Sequence, residues 1–517
     1  MFSLRNVLIP SQLVLNFKNL INIFSLKIQI PQSNYKSNKK LFIYGRNNFN
    51  QILLQIPIIF SAKFNGYRIT AILSEPVFWI VSLYKKIGVE DFVFYNNLFH
   101  KMKNKSLSLI MNKIINKDIT YRGVNIKKII HSTLLRKEKV GEINFNTYDS
   151  TILEKQVLFC LNLIDSLDET FSNYKPDLFI FEDRGYIPEG IFFNYALNRG
   201  WDVIEFHTGH KPNLINLKRY NHKNSKTHPF SINKKVFSYI QNKYSFSYLK
   251  KKVLQELEEC YETEKWFAEV GTTRNKVKVE KDYFFKHFNL DKKKKTACLF
   301  NHILWDATFF WGEDLFRNYQ EWLLKSVSEM QKNSQINWLI KCHPANVVKN
   351  FRDNSNVFSE ENILAQNFDN LPSNIKIIPS NSPFSTFSIL KFIDFCITVR
   401  GTVGMEAACL NIPVLTAGTG RYDKFGFTFN SNSRGEYLRK LRNINNLKIT
   451  KKHQHNSLIF TYATLFLKQL ETNTIKYDFL NDRSANLNVR LNNDFSGKDI
   501  LSIAKWLESK EEDLLNY

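Results

Sequence analysis

Short apolar runs that stop at a glycine or a charged residue, each followed by residues at helical spacing, recur through most of this chain. LFIYG ends at Gly45, residues 50 to 64 fit a helix, YRITAIL after Gly66 reads as a second strand, and DFVFY offers a third. Strands separated by a helix cannot be joined by a tight hairpin. They need a crossover, which lays them parallel and requires cover on both faces of the sheet. The same order returns where DLFIF runs into EDRGY, a helix is predicted from Pro188 to Arg199, and DVIEF follows Gly200.

Between about 213 and 245 the sequence becomes polar and irregular (NHKNSKTHPFS). A helical stretch near 246 to 268 then leads into a charged segment ending at Lys292 to Lys295. The domain boundary is placed within 275 to 292. Alternation restarts with TACLF (296 to 300), a helix near 314 to 331, NWLIK (337 to 341), IKIIP (375 to 379), FCITV (395 to 399) and PVLTA (413 to 417). The reading is an α/β chain of two Rossmann-like units, 1–285 and 286–480, followed by an amphipathic helical segment, 481–517, that packs on the domains.

With 517 residues, 43% of them hydrophobic, the chain can bury more than one core. Cys160, Cys260, Cys298, Cys342, Cys396 and Cys409 form no CxxC pair, which points to a reduced chain without a cysteine-bound metal. The apolar stretches near the N-terminus are cut by Lys18 and Lys27, and the one at Phe78 to Tyr84 is preceded by Glu75. None reaches the roughly 20 residues that span a bilayer. No secretory signal pattern is visible, so the expected location is cytoplasmic.

The net charge is +24, and the excess lies early: no acid precedes Glu75, while Arg5, Lys18, Lys27, Lys36, Lys39, Lys40, Arg46, Lys63 and Arg68 all do. Such a face attracts polyanions or an anionic inner-membrane surface, where the protein would sit peripherally. A lysine- and asparagine-rich compositional bias would produce the same count. Zinc-finger spacing, RNP-type aromatics and a helix-turn-helix pattern are all missing from the sequence, which argues against nucleic acid as a partner.

CITVRGTVGMEAACLNIPVLTAG (396 to 418) carries the strongest site signal. A strand ending at Val399 delivers Arg400 to the carboxyl edge of a parallel sheet, where Gly401 and Gly404 let the backbone turn close to a ligand. The helix that follows offers free N–H groups to an anion, with Thr402 as a further candidate contact. Glu406, read as lying in the first helical turn, can accept from a ribose or sugar diol, or simply stabilise the helix start. KCHPAN sets His343 at the same edge, where Pro344 blocks further extension and the imidazole can donate to a phosphate. In SNSPFSTFS, Ser382 or Ser385 reads as an N-cap with a phosphate contact as the lesser alternative, and Arg421 can meet a phosphate oxygen or lie in solvent.

NHILWDATFF (301 to 310), KCHPAN, RGTVGMEAACLNIPVL (400 to 415) and AGTGRYDKFGFTF (417 to 429), in this order, resemble the bacterial capsular polysaccharide biosynthesis family, glycosyltransferases related to the Kdo transferases of capsule export. The resemblance covers roughly 290 to 440 and extends only loosely to the N-terminal half. It implies a GT-B architecture, with two Rossmann-like domains facing across a cleft, the nucleotide held mainly by the C-terminal one, and no cofactor or metal. NHILWDATFF would then line the cleft, with Asn301 and Asp306 on sugar hydroxyls and Trp305 as a platform or as core. FEDRGY looks like the paired-acid-plus-glycine element of GT-B sialyltransferases, with Arg184 inserted between acid and glycine. Glu182 or Asp183 would be the base that deprotonates the acceptor. The histidines of HTGHK (207 to 211) would add donors to an anionic sugar or serve structure.

These readings converge on a metal-independent glycosyltransferase that moves a sugar from a CMP-, UDP- or GDP-linked donor to a capsular or other surface polysaccharide or its lipid-linked primer. A teichoic-acid-type polyol-phosphate transferase and a non-catalytic basic scaffold that binds membranes or polyanions are the alternatives.

Overall fold

The computed structural model describes residues 10–31, 38–101, 111, 114, 118–172, 175–307, 309–492 and 496–516. Arg5 and Lys36 of the acid-free segment lie outside the described residues. The chain is an α/β protein built on two sheets, one of seven strands and one of five. In the first, the parallel strands run in the order Asp91–Phe94, Arg68–Leu73, Lys40–Tyr44, Leu178–Phe181, Val203–Thr208. The second is parallel throughout, in the order Ile375–Ile378, Ile336–Lys341, Lys295–Phe300, Phe395–Thr398, Val414–Thr416. Leu178–Phe181 and Phe395–Thr398 are buried along their whole length, as strands covered by helices on both faces must be.

In each sheet the strand order reverses beside the first strand of the unit. Loops leaving neighbouring strands diverge there and open a crevice at the carboxyl edge. The first crevice lies between Lys40–Tyr44 and Leu178–Phe181, and the second between Lys295–Phe300 and Phe395–Thr398. Two Rossmann-like units, expected from the alternation of strands and helices, are present.

Three features depart from the expectation. The stretch read as irregular contains the strand Leu214–Tyr220, antiparallel to Val203–Thr208. Its sequence LINLKRY looks unsuited to a buried position, but Lys218 is matched there by Asp513 at 3.0 Å and by Glu512, and Arg219 meets Asp202 at 2.8 Å. The partners lie mostly at the far end of the chain, so local spacing could not reveal them. Next, the strand Gln469–Glu471 pairs with Leu214–Tyr220 and completes the first sheet from a distant part of the sequence. The helix Lys498–Glu508, which lies in the segment expected to pack on the domains and is not one of the three, buries Ile500, Ile503, Trp506 and Leu507 in the core that holds Ile56, Ile59 and Phe60 of the helix Ile56–Phe64. Last, the helix expected from 314 starts only at Tyr319, with Asn318 as its N-cap, because Asp314 is drawn out to Arg400.

Among the described residues no helix is long and apolar enough to cross a membrane. All six cysteines are buried and unpaired.

Candidate functional site

The second crevice opens into a cavity of about 410 Å³ whose wall includes residues from both units, among them His207, His228, Tyr261, Trp266, Asn301, His302, Asp306, Lys341, His343, Arg400, Thr402, Glu406 and Arg421. Lys295–Phe300 leads into Asn301, Ile336–Lys341 into His343, and Phe395–Thr398 into Arg400, so three adjacent strand ends bring residues that are 40 to 100 positions apart onto one edge.

His343 follows the strand and precedes the helix Ala345–Arg352. Its Nδ1 accepts the Ala345 N–H at 3.2 Å, which leaves the proton on Nε2. Burial, with the charges of Lys349 and Lys341, lowers its pKa to about 3. The ring is a neutral donor at any physiological pH. Arg421 also lines the cavity. Its Nη2 meets His228 Nε2 at 2.5 Å, while its Nε is buried without a hydrogen-bond partner. Burial lowers its pKa to about 10, with the charge of Arg400 acting in the same direction.

Arg400, although on the cavity wall, has its guanidinium committed. Nη2 pairs with Asp314, Nε donates to the Thr419 carbonyl at 2.9 Å and Nη1 to the Tyr319 hydroxyl at 3.2 Å. Gly401 caps the helix Thr402–Cys409 with ordinary dihedrals and contributes to the wall. Gly404 serves a different neighbour from the one expected. A Cβ there would come 2.1 Å from the Tyr422 hydroxyl, which bonds the Gly401 carbonyl at 3.0 Å, so this glycine admits a tyrosine rather than a ligand.

Glu406 is not in the first helical turn, since the helix begins at Thr402. It sits one turn deeper, 1% exposed, where Oε2 accepts from the Tyr261 hydroxyl at 2.7 Å and Oε1 from Trp266 Nε1 at 3.2 Å. Burial raises its pKa to about 7 against the bonds from Tyr261, Thr402 and Trp266. It borders the cavity, but its lone pairs are already engaged by Tyr261 in the last turn of the helix Phe246–Glu262 and by Trp266 just beyond it.

Asn301 is buried on the wall, and both atoms of its carboxamide lack a hydrogen-bond partner. Asp306 is occupied by contrast: Lys349 pairs with Oδ2, and the Tyr186 hydroxyl donates to Oδ1 at 2.8 Å. Burial acts to raise its pKa, but the charges of Lys349 and Arg136 outweigh that and hold it well below the usual carboxylate range. Trp305 is core, with Lys349 Nζ 5.0 Å from its ring centroid. Ser385 takes the N-cap position of the helix Thr386–Leu390 without a side-chain capping bond, and Ser382 Oγ accepts only the Phe384 N–H, at 3.4 Å. Neither serine lines the cavity, which Thr386 reaches instead. Of the HTGHK histidines, His207 is on the wall, whereas His210 is structural, with Gln469 at 2.9 Å and Glu256 at 2.8 Å on its two nitrogens.

Glu182 and Asp183 belong to the first crevice, a second cavity of about 380 Å³ bordered by Arg46, Arg136, Asp183, Tyr186 and Glu189. Glu182 is tied to Gln55 Nε2 at 2.7 Å and to Arg46 Nε at 3.1 Å. Asp183 accepts the Gly185 N–H at 2.9 Å and keeps its other oxygen toward Arg136, 3.9 Å away. Burial raises the pKa of Asp183 in spite of these partners. Gly185 is required by close approach: a Cβ would fall 1.7 Å from the Phe310 ring of the second unit. Arg184 anchors the same loop by donating to the carbonyls of Ser225 at 2.6 Å and Phe310 at 3.0 Å. The two cavities meet at Tyr186, which borders the smaller one beside Asp183 and bonds Asp306 on the wall of the larger.

Solved structures similar to this chain include two sugar transferases and an epimerase. A Thermosulfurimonas dismutans KpsC, beta Kdo 2,4 transferase, is 12% identical, with 64% of this chain and 87% of that one covered at a TM-score of 0.35. The UDP-GlcNAc 2-epimerase from Neisseria meningitidis bound to UDP-GlcNAc is 12% identical over 83% of this chain and 99% of that one, at 0.25. The spinosyn rhamnosyltransferase SpnG is 9% identical over 83% and 96%, at 0.26. No family model and no curated protein matches the chain.

Several site residues escaped the sequence reading. Glu189, the first residue of the helix Glu189–Asn198, accepts the N–H groups of Glu182 and Asp183 at 2.8 and 2.9 Å and takes both terminal nitrogens of Arg46. An acid in a first helical turn just after EDRGY was a visible signal for it. His302 stands beside Asn301 and stacks on Tyr319 at 4.6 Å, and it was passed over for its neighbours. Tyr261, Trp266 and His228 come from the segment between the two alternating regions, where nothing in the spacing points to a site.

Proposed function

We propose that the chain is a glycosyltransferase of the GT-B type, taking a sugar from a CMP-, UDP- or GDP-linked donor to a surface polysaccharide or its lipid-linked primer. The observation that carries this reading is the pair of crevices, each at the carboxyl edge of its sheet and meeting at Tyr186, one lined by uncompensated donors and the other by an acid. Arg421, the His343 Nε2–H and the start of the helix at Thr402 converge where a phosphate would sit. Their role is to stabilise the charge that grows on the nucleotide phosphate as it leaves.

Asp183 is the group we assign to the acceptor. Its raised pKa suits a base that takes the proton of a hydroxyl as that oxygen attacks the anomeric carbon and the bond from that carbon to the phosphate oxygen breaks. Glu182 orients the loop through Gln55 and Arg46. On this reading 1–285 is the acceptor side and 286–480 the nucleotide side. The Tyr186 bond to Asp306 must yield for donor and acceptor to meet.

The helix Pro10–Ser25 supports a peripheral membrane contact. It leaves Phe17, Ile21 and Phe24 at 67%, 53% and 81% exposure on one stripe, next to Lys18 and Lys27. The test of the catalytic reading is a thermal-shift screen of CMP, UDP, GDP and ADP, followed by transfer assays with the nucleotide that stabilises the protein. No shift with any nucleotide would favour a non-catalytic scaffold. Transfer of a polyol phosphate from a nucleotide-linked polyol to the acceptor, with release of the nucleoside monophosphate, would favour the teichoic-acid-type alternative.

A further inference from the structure

His210 lies two residues beyond the strand Val203–Thr208 and is 1% exposed. Both of its ring nitrogens face acceptors. Gln469 Oε1 takes the His210 backbone N–H at 2.7 Å and stands 2.9 Å from Nδ1, and the amide is held in that sense because its Nε2 donates to the Thr464 carbonyl at 2.8 Å. The one proton of a neutral imidazole therefore belongs on Nδ1, and Nε2 turns its lone pair to Glu256 Oε1, 2.8 Å away. Two acceptors so close need a cation between them. Lys211 donates to the same oxygen, but among the described residues no bond runs from its ammonium to the imidazole.

Cys260 stands one turn beyond Glu256 on the helix Phe246–Glu262, with its Sγ 3.7 Å from the same Oε1. The imidazole nitrogen, the carboxylate oxygen and the sulfur all lie within 4.8 Å of one another, and all three residues are buried. Among the described residues no other three His, Cys, Asp or Glu side chains come together in this way. Zinc bonds of about 2.0 to 2.3 Å in a tetrahedron place ligand atoms roughly 3.5 Å apart. The separations of 2.8 and 3.7 Å bracket that requirement. A neutral imidazole, one carboxylate and one thiolate also balance a divalent ion, so no net charge is buried with it.

We propose that His210, Glu256 and Cys260 form a structural zinc site. The ion binds His210 Nε2, Glu256 Oε1 and the Cys260 sulfur; the thiol loses its proton to solvent as the sulfur–metal bond forms, and water or the second Glu256 oxygen completes the tetrahedron. Lys211, which is half-buried, gives up Glu256 and turns outward. The ion locks a strand end of the first unit to the helix Phe246–Glu262. It also steadies the turn beyond that helix, where Phe267 donates its N–H to the His210 carbonyl at 2.7 Å and Trp266 packs edge-on against the imidazole. The sequence conceals the site, since Cys260 belongs to no CxxC pair and 46 positions separate His210 from Glu256.

The test uses the full chain, treated with a chelator and then titrated with cobalt(II), which takes the place of zinc and gives a thiolate-to-metal absorption band in the near ultraviolet. One equivalent should develop the band in wild type, and zinc should then abolish it and raise the melting temperature. Cys260→Ser should lose the band and weaken zinc binding at least a hundredfold, and His210→Gln should weaken it at least tenfold. Lys211→Met removes the competing ammonium and should bind zinc more tightly than wild type, which keeps the proposal refutable where Cys260→Ser does not fold.

A wild-type chain that gives no cobalt band would overturn the proposal, and an imidazolium against Glu256 would then account for the contact. A band that persists in Cys260→Ser would place the metal elsewhere and overturn it as well. So would a Lys211→Met variant whose affinity for zinc is unchanged or weaker.

Discussion

Replacing Glu406 by Gln should stabilise the protein at pH 8 and leave it nearly unchanged at pH 5. The carboxyl is 1% exposed, and its pKa moves from 4.5 in an open chain to about 7 in the fold. Between those values the native state binds a proton that the unfolded chain does not, so stability falls as pH rises through the window and stays reduced above it. A change of that size corresponds to about 3 kcal/mol. Gln has the shape of the protonated acid, with one acceptor and one donor group, so near pH 5 the variant and the wild type present Tyr261 and Trp266 with nearly equivalent partners. At pH 8 only the wild type carries the buried charge. Glu189 and Glu360 are raised by burial to about 7 as well, but they remain in both proteins and cancel in the difference.

The assay is urea denaturation of both proteins at the two pH values, followed by intrinsic fluorescence. The stability gained by Glu406→Gln at pH 8 should exceed that at pH 5 by about 3 kcal/mol. An equal effect at both values would mean that the carboxyl is not held protonated by its burial, and that Tyr261 and Trp266 act only as packing. Nucleotide binding gives a second reading on the same variant. A ribose contact through Glu406 requires the bonds from Tyr261 and Trp266 to be released, so weakened binding beside unchanged pH dependence would separate a ligand role from the structural one.

His343→Ala and Arg421→Ala should each weaken nucleotide binding by tenfold or more with the melting temperature nearly kept, as calorimetric titration would read; unchanged affinity in both would remove the phosphate site. Asp183→Asn should lower turnover far more than donor affinity, because the base acts on the acceptor, and near wild-type turnover would return EDRGY to an ordinary loop. Tyr186→Phe removes the bond to Asp306 and an acceptor for the Ala307 N–H at 2.9 Å, worth about 1–3 kcal/mol where the partners stay buried; it should make the junction between the cavities more open to limited proteolysis, and an unaltered cleavage pattern would count against a latch. Co-sedimentation with anionic vesicles should fall at high salt and in a Phe17→Ser, Phe24→Ser double variant. Equal partitioning to neutral and anionic vesicles would mean that the basic excess is compositional.

The parallel strands of both sheets were legible because each is a short apolar run stopped by a glycine or a charge, and burial on both faces demands that composition. Leu214–Tyr220 broke that rule and was missed. Its Lys218 is neutralised by Asp513 and Glu512 from the end of the chain, a pairing that no local pattern contains. The carboxyl-edge loops were legible for the same reason as the strands: once the alternation is parallel, the loop after each strand end must face the crevice. Placing residues at that edge did not reveal which of them are free to bind. Arg400, Asp306 and Glu406 all reached the cavity as expected, but Asp314, Lys349 with Tyr186, and Tyr261 with Trp266 had already engaged them.

Lys341 shows the converse. In NWLIK it reads as the charge that ends an apolar run and turns to water, and the fold instead buries it at a strand end where, among the described residues, it makes no ion pair. The residues a sequence reading singles out are those with conspicuous chemistry, and here the surrounding structure tends to satisfy them. A residue that the fold leaves unsatisfied at the cost of its own stability is the better guide to a ligand, because only a partner from outside the chain recovers that cost.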